Sequence, residues 1–192
     1  MARYFVAASL RRSLTAAVAP RVTPHISRAA FSATSRAASG TLPVRVHGEG
    51  TGTKQSLSVP DKPYTFSSDT YTVLGGGDTS PSPVVYSLAS LGSCNQVTGS
   101  LVARDHGIRL GRWSVDVEGA LPTDVLVKGA PEGNPNWESV TLKVSVQTDI
   151  AGGTNDPKFQ HFVSEVERRC PITALFRLSG VKLTSEWVNE SL

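Results

Sequence analysis

The feature that most constrains this chain is a stretch from Pro83 to Ala103 that contains no charged residue. Ser82 is suited to cap a helix, and Pro83 suits the first helical position because its missing N–H would have no partner there. Gly107 can adopt the left-handed conformation that ends a helix. The sequence therefore predicts one long helix over residues 83–106.

Two faces of this helix predict burial, because one is apolar at helical spacing and the other carries mostly small side chains. The apolar stripe comprises Val84, Leu88, Leu91 and Val102, with Cys94 or Asn95 and Thr98 between them. The small face comprises Gly92, Gln96, Gly99 and Ala103. The Ser, Asn, Gln, Thr and Gly content disfavours a membrane span. We therefore expect the central helix of a soluble domain, buried on several sides.

The positive charge of the chain is concentrated near its beginning. Residues 1–40 contain six arginines and no acidic residue, whereas residues 41–192 carry 13 basic and 16 acidic groups. An Arg-, Ser- and Ala-rich leader without acidic residues or a continuous apolar core is typical of a mitochondrial presequence, with a disordered basic tail as the alternative. We expect a leader over 1–40, a single domain over 41–192, and a location in the mitochondrial matrix. The acidic remainder argues against a nucleic-acid partner, which requires a basic face.

The order of the remaining elements predicts an α+β fold. Period-two alternation predicts strands or short β-leaning segments, which we place at residues 43–47, 54–59, 64–66, 70–74, 113–118, 125–127, 140–146 and 181–188. Residues 48–52 are expected to form the turn of the first hairpin, and residues 75–77 a glycine loop.

Two shorter helices are expected near the end of the chain. Asp156 caps the first of them, which must end before Pro171 because the residue preceding a proline is disfavoured in the α region. A Glu165–Arg169 ion pair, four residues apart, is expected on it. Pro171 then begins a short helix that Gly180 ends.

Cys170 occupies an informative position, at the N-cap of the helix that Pro171 opens. The positive end of that helix favours a thiolate, as do the adjacent Arg168 and Arg169. Cys94 lies in the middle of the long helix and would need a cation from elsewhere in the fold. Arg45 and Lys54 are the candidates, and the sequence does not choose between them.

The same two cysteines allow other interpretations. A buried cysteine is often only a small hydrophobic residue. In a reducing compartment, a transient redox pair is favoured over a permanent disulfide. Zinc is disfavoured because the two cysteines are far apart and the four histidines lack ligand spacing, and no hydrolase signature is present.

Two motifs taken together resemble the osmotically inducible protein C and organic hydroperoxide resistance family (OsmC/Ohr). The first is Ser82-Pro83 ahead of Cys94, and the second is the Cys170-Pro171 step after a charged helix. The resemblance covers the chain from Pro43 to its end. It implies an OsmC-like fold, in which antiparallel sheets pack around a long central helix, and an intertwined homodimer.

The resemblance also implies a function, that of a thiol peroxidase that reduces organic hydroperoxides. Cys94 matches the peroxidatic cysteine of the family and Cys170 the resolving one. No bound cofactor or metal is implied, and the reductant would be an external dithiol, which in the family can be a lipoyl group.

The chain departs from the family pattern at the start of the long helix. In the peroxidases, the proline there is followed by a glutamate that holds an arginine over the active thiol, whereas this chain has Val84. The alternative is therefore a non-enzymatic OsmC-like module that binds a small apolar ligand or a partner, or a thiol redox sensor, with impaired peroxidase activity.

Overall fold

The computed structural model describes residues 40–192, so the predicted presequence, apart from Gly40, lies outside the described residues. The strands are His47–Thr51 (β1), Lys54–Ser58 (β2), Thr65–Ser68 (β3), Leu110–Ala120 (β4), Ser139–Thr148 (β5) and Lys182–Ser191 (β6). The helices are Pro83–His106 (α1), Pro157–Arg169 (α2) and Pro171–Leu178 (α3), with a short 3₁₀ helix at Thr72–Leu74. The predicted α+β class is confirmed.

Helix α1 spans the residues predicted for it. The Ser82 hydroxyl accepts a hydrogen bond from the Val85 N–H at 3.4 Å. Gly107 ends the helix with a φ of 63°, and its N–H donates to the carbonyls of Ala103 and Arg104. Both ends are therefore closed by the residues that the sequence indicated.

Only one side of α1 is buried, and it packs against β4, α2 and α3. The buried residues are Leu91, Gly92, Asn95, Thr98, Gly99, Val102 and Ala103. The opposite side is exposed, with Val97 at 62% and Leu101 at 40% of their full accessibility. Burial on several sides is therefore wrong for the single chain. The sequence could not reveal this, because an uncharged face can be covered by the same chain or by another molecule.

The main sheet has the strand order β4-β5-β6. Strands β4 and β5 form an antiparallel hairpin, whereas β6 runs parallel to β5. The parallel pairing follows from α2 and α3, which lie between these strands in the chain and provide the crossover that such a pairing requires. The core between sheet and helices comprises Leu142, Val144, Val146, Phe159, Phe162, Val166, Val102, Ala103, Ile108, Ile150 and Trp187.

The first three strands form a separate antiparallel sheet, β1-β2-β3. The first strand was expected at residues 43–47 with a turn at 48–52, but β1 occupies His47–Thr51 and pairs with β2 up to Thr51 opposite Lys54. Glycine is needed within this strand, because a Cβ at Gly50 would lie 2.1 Å from the Lys54 carbonyl oxygen. The glycines of residues 48–52 were interpreted as a turn signal, whereas Gly50 permits a close approach of two strands.

Three local predictions are also wrong. Within residues 70–74, Thr72–Leu74 form the 3₁₀ helix, and residues 125–127 lie in turns within the long β4–β5 connection. Glu165 pairs with Arg168 at 2.7 Å, while Arg169 pairs with Asp105 of α1 at 2.9 Å. Tertiary packing therefore overrides the spacing rule, because Arg169 has a partner on the neighbouring helix.

Asp69 anchors the loop that leads into α1. Its side chain is 1% exposed, and it accepts hydrogen bonds from the N–H groups of Thr70, Gly77 and Thr79 and from the hydroxyls of Thr53 and Thr79. Burial alone would raise the pKa of Asp69, but these hydrogen bonds outweigh it and hold the pKa well below its usual range. The glycine loop is therefore fixed by one carboxylate.

We predict that Gly99→Ala lowers the free energy of unfolding by about 1–3 kcal/mol, because the new methyl group overpacks the helix–sheet interface. A Cβ at Gly99 would lie 2.6 Å from Cη2 of Trp113. Gly92→Ala is the control, because its Cβ would lie 3.2 Å from a Val115 methyl group, which can shift. That variant should stay within about 1 kcal/mol of the parent. Urea unfolding followed by tryptophan fluorescence measures both, and equal effects would contradict the packing described.

We also predict that Asp69→Asn destabilises the protein at neutral pH, because the amide nitrogen cannot accept the hydrogen bonds that the carboxylate accepts. A carboxylate with a lowered pKa stabilises the fold above its unfolded-state pKa of about 4 and loses that contribution as the pH falls further. The difference between variant and parent should therefore shrink on acidification below about pH 4. Melting curves across the acidic range test this, with exposed Asp61→Asn as the control. A difference that is constant with pH would contradict it.

Candidate functional site

Cys170 lies at the junction of α2 and α3. It ends α2 and caps α3 in an extended conformation (φ −75°, ψ 114°), as expected of a residue that precedes a proline. Its Sγ accepts a hydrogen bond from the Thr173 N–H at 3.4 Å. The predicted N-cap position of this sulfur is confirmed, and the Cys170 side chain is completely buried.

The fold brings the second cysteine to the same place. Cys94 lies in the middle of α1, and its thiol lies close enough to that of Cys170 for each to shift the pKa of the other. Both cysteines are unbridged, with Cys94 partly exposed and Cys170 buried. The two sulfurs, seventy-six positions apart in the sequence, therefore meet at the first turn of α3, and solvent reaches only the Cys94 side.

The two thiols ionise differently. Burial raises the pKa of Cys94, and the neighbouring Cys170 thiol raises it further, while the Ile172 N–H and the Thr98 hydroxyl lower it. Burial also acts to raise the pKa of Cys170, but hydrogen bonds from the Thr173 hydroxyl and N–H outweigh it and hold that pKa below its ordinary value. The environment therefore shifts the pKa values of the two thiols in opposite directions, upwards for Cys94 and downwards for Cys170.

The basic side chains that were expected to stabilise the thiolates interact with other groups. Arg168 and Arg169, adjacent to Cys170, form ion pairs with Glu165 and Asp105. Neither Arg45 nor Lys54 is among the main influences on the pKa of Cys94. Lys54 Nζ instead lies beside the glycine loop, 3.3 Å from where a Cβ of Gly77 would stand. The lowered pKa of Cys170 is thus due to hydrogen bonds rather than to arginine charges.

Three hydrogen-bonding residues of this site were missed in the sequence. Asn95 and Thr98 were assigned only to the apolar stripe, and Thr173 was not singled out. The signals were present, because Thr98 lies one turn after Cys94 and Thr173 is the third residue after an N-cap. A hydroxyl at those spacings can reach the sulfur.

A separate cavity of about 590 Å³ opens at the start of α1. Val84, the departure from the family pattern, is part of its wall, and neither cysteine lines it. Its other lining residues are Thr53, Asp69, Thr70, Val73, Leu74, Ser82, Pro83, Leu126 and Val127. Three of them, Val73, Leu126 and Val127, are exposed. The cavity is therefore mostly apolar and distinct from the thiol pair.

Other chemistries find little support in the described part of the chain. Within residues 40–192, no three His, Cys, Asp or Glu side chains lie close enough together to hold a metal ion. The helices of the same residues include none with the length and hydropathy required to cross a bilayer.

Solved structures share this fold. The chain is similar to an OsmC-like protein of Mycoplasma pneumoniae, with a TM-score of 0.59 and 15% identity over 79% of this chain and 98% of that one. It is also similar to an organic hydroperoxide resistance protein OsmC of Legionella pneumophila, with a TM-score of 0.56 and 17% identity over 77% and 98% of the two chains. The organic hydroperoxide resistance protein OhrB of Bacillus subtilis gives 0.52 and 17% over 76% and 98%.

Two comparisons at the level of sequence were also made, and one of them found a match. No curated protein sequence matches the chain. A family model described as OsmC-like protein matches residues 75–186, which include α1 with Cys94 and the α2–α3 junction with Cys170. Since this match spans more than half of the 192 residues, the chain belongs to the OsmC-like protein family.

Proposed function

We propose that this protein is a thiol-dependent peroxidase that reduces organic hydroperoxides through Cys94 and Cys170. The observation that supports it most is the contact between a partly exposed thiol and a buried one at the first turn of α3. An oxidant from solvent meets Cys94 first, and the second thiol is already in place to close a disulfide. Two relatives in fold are named organic hydroperoxide resistance proteins.

The proposed reaction has two steps. The Cys94 thiolate attacks the terminal peroxide oxygen, the O–O bond breaks, and the alkoxide leaves and takes up a proton to become the alcohol. The resulting sulfenic acid is attacked at sulfur by the thiolate of Cys170, which forms the disulfide and releases hydroxide. Cys94 is the peroxidatic cysteine and Cys170 the resolving one. An external dithiol, such as a lipoyl group, returns the pair to its reduced form, and no bound cofactor is required.

We also propose that the protein acts as a homodimer. The side of α1 that carries Val97 and Leu101 is exposed, and the helix has no charged residue before Arg104. The sheet β1-β2-β3 has exposed side chains along most of its length. An uncharged helix face and a thin sheet without a core of its own are both features that a second copy would cover. The arginine-rich leader supports a location in the mitochondrial matrix, where lipoyl groups are available.

A second function is favoured by the cavity at the start of α1. Val84 replaces the family's glutamate, and the cavity that it lines is mostly apolar and of a size that suits a small molecule. A module that binds a small apolar ligand or a partner, with the two cysteines as core residues, would use this cavity and not the thiols. A thiol redox sensor would instead use the Cys94–Cys170 pair.

We predict that the reduced protein consumes cumene hydroperoxide rapidly and that Cys94→Ser abolishes this consumption, because a serine hydroxyl is not ionised at neutral pH. Stopped-flow measurement of peroxide loss tests this. Exposed Ser93→Ala, one residue away on the same helix, is the control and should react like the parent. Equal consumption by the parent and by Cys94→Ser would remove the peroxidase and leave the binding module.

We further predict that Cys170→Ser stops the reaction after its first step. The Cys94 sulfenic acid should then accumulate and be trapped by dimedone, whereas the parent should give a Cys94–Cys170 disulfide and little trapped product. Mass spectrometry of the modified peptides measures both. Dimedone labelling that is equally low in the parent and in the variant would contradict a resolving role for Cys170.

A further inference from the structure

The first turn of α3 is capped by a sulfur atom. Of the N–H groups that begin this helix, that of Cys170 donates to the Val166 carbonyl of α2 at 3.0 Å, and Pro171 has none. Ile172 and Thr173 remain, and the Thr173 N–H donates to the Cys170 Sγ at 3.4 Å. A serine, threonine, asparagine or aspartate oxygen normally provides such a cap. In this chain the beginning of a helix therefore depends on an atom that can be oxidised.

Few other contacts hold α3 in place. The helix Pro171–Leu178 has eight residues, and a helix of that length is not stable alone. Its buried residues are Thr173 and Phe176, whereas Leu175 is 63% and Leu178 is 86% exposed. One capping interaction is therefore a substantial part of what stabilises this helix.

A disulfide requires the capping sulfur to move. The two cysteines are unbridged, and a disulfide bond is only about 2.05 Å long, so at least one sulfur must shift on oxidation. Cys94 lies within α1, where the helix restricts its side chain to few rotamers. The backbone of Cys170 is fixed by its hydrogen bond to α2 and by the proline after it. We therefore expect the Cys170 side chain to rotate and its sulfur to leave the Thr173 N–H.

Two buried polar groups then lack a partner. One is the N–H of Thr173, a residue that is 2% exposed. The other is Asn95 Oδ1, which has no hydrogen-bond partner within residues 40–192 even before oxidation, although Asn95 Nδ2 donates to the Thr173 hydroxyl at 3.0 Å. A buried polar group without a partner is unfavourable. Opening of the first turn of α3 gives both groups access to water.

We infer that oxidation of the thiol pair removes the cap of α3 and opens the first turn of this helix, so that the Cys170 sulfur becomes accessible to the reducing dithiol. This inference rests on the proposed peroxidase function and deepens it, because it concerns the regulation of the same site. While the pair is reduced, Cys170 is completely buried and closed to other thiols. The disulfide keeps Cys170 attached to α1, so the opening is confined to residues 171–174.

The cycle balances in atoms and electrons. Two thiols and one hydroperoxide give a disulfide, an alcohol and water, so the sulfurs are oxidised and the peroxide is reduced. A thiolate of the external dithiol then attacks the Cys170 sulfur, and Cys94 leaves as a thiolate. The second thiol of the dithiol attacks the sulfur of the first, which releases Cys170 and forms the disulfide of the reductant. The two protons of the dithiol end on the two cysteines, and the Cys170 sulfur returns to the Thr173 N–H.

The test is amide hydrogen exchange of the full chain, measured by mass spectrometry before and after treatment with diamide. Diamide takes two electrons and two protons from a thiol pair, and so forms the disulfide whether or not the protein reduces peroxides. The amides of residues 172–174 should exchange at least about fivefold faster in the oxidised protein, the effect of losing a typical N-cap. The amides of α2 are the internal reference and should exchange at an unchanged rate.

Substitutions of the cysteines separate the loss of the cap from the formation of the disulfide. Cys170→Ala removes the cap without oxidation, so α3 of the untreated variant should exchange as fast as α3 of the oxidised parent. Cys170→Ser keeps a capping oxygen and cannot form the disulfide, so its α3 should stay protected with and without diamide. Cys94→Ser keeps the capping sulfur and is the matched control, which should also stay protected.

The outcomes distinguish this inference from the proposed function. Equal exchange of α3 in the reduced and oxidised parent, or slow exchange in untreated Cys170→Ala, would overturn the inference even if the protein consumes cumene hydroperoxide. Opening of α3 by diamide in a protein that does not consume the hydroperoxide would support the inference and reject the peroxidase. A parent whose two cysteines diamide does not link would overturn both.

Discussion

The arrangement described here depends on the meeting of the first turn of α3 with the middle of α1. Pro171 sets that meeting, because it ends α2 and opens α3 within one residue and so places the Cys170 sulfur under the free N–H groups of a new helix. Asn95 of α1 donates to Thr173 of α3 at 3.0 Å and links the two helices at the same depth. Cys94, adjacent to Asn95, is thereby brought to Cys170. The two sulfurs therefore approach each other because α3 follows α2 directly and packs against α1. The main sheet packs against α1.

The features of this arrangement that depend on neighbouring residues in the sequence could be predicted. The limits of α1 follow from Ser82, Pro83 and Gly107, and the N-cap position of Cys170 follows from the proline after it. The sequence predictions were wrong where residues distant in the sequence determine the local structure. Arg169 pairs with Asp105 and not with Glu165, because α1 lies beside α2. Gly50 is a strand residue because the Lys54 backbone approaches it closely. The approach of the two thiols, and the contact of Thr173 with α1, depend on tertiary packing. Rules based on the spacing of residues in the sequence do not describe such packing.

Family membership and function rest on different observations. The match over residues 75–186 places the chain in the OsmC-like family, whereas the chemistry must be argued from the site. That site differs from the pattern of the family peroxidases at Val84, which lines an apolar cavity. The proposed homodimer would cover the exposed side of α1 and the exposed first sheet.

The most direct test of the central claim is the equilibrium of the Cys94–Cys170 disulfide against glutathione redox buffers, measured on the full chain with and without denaturant. If folding holds the two sulfurs in contact, the effective concentration of one thiol at the other should be at least about a hundredfold higher in the native protein than in the denatured chain. Linked and free peptides quantified after acid quenching give this value. An effective concentration that is the same in both states would show that the fold does not bring the sulfurs together, and the proposed chemistry would lose its basis.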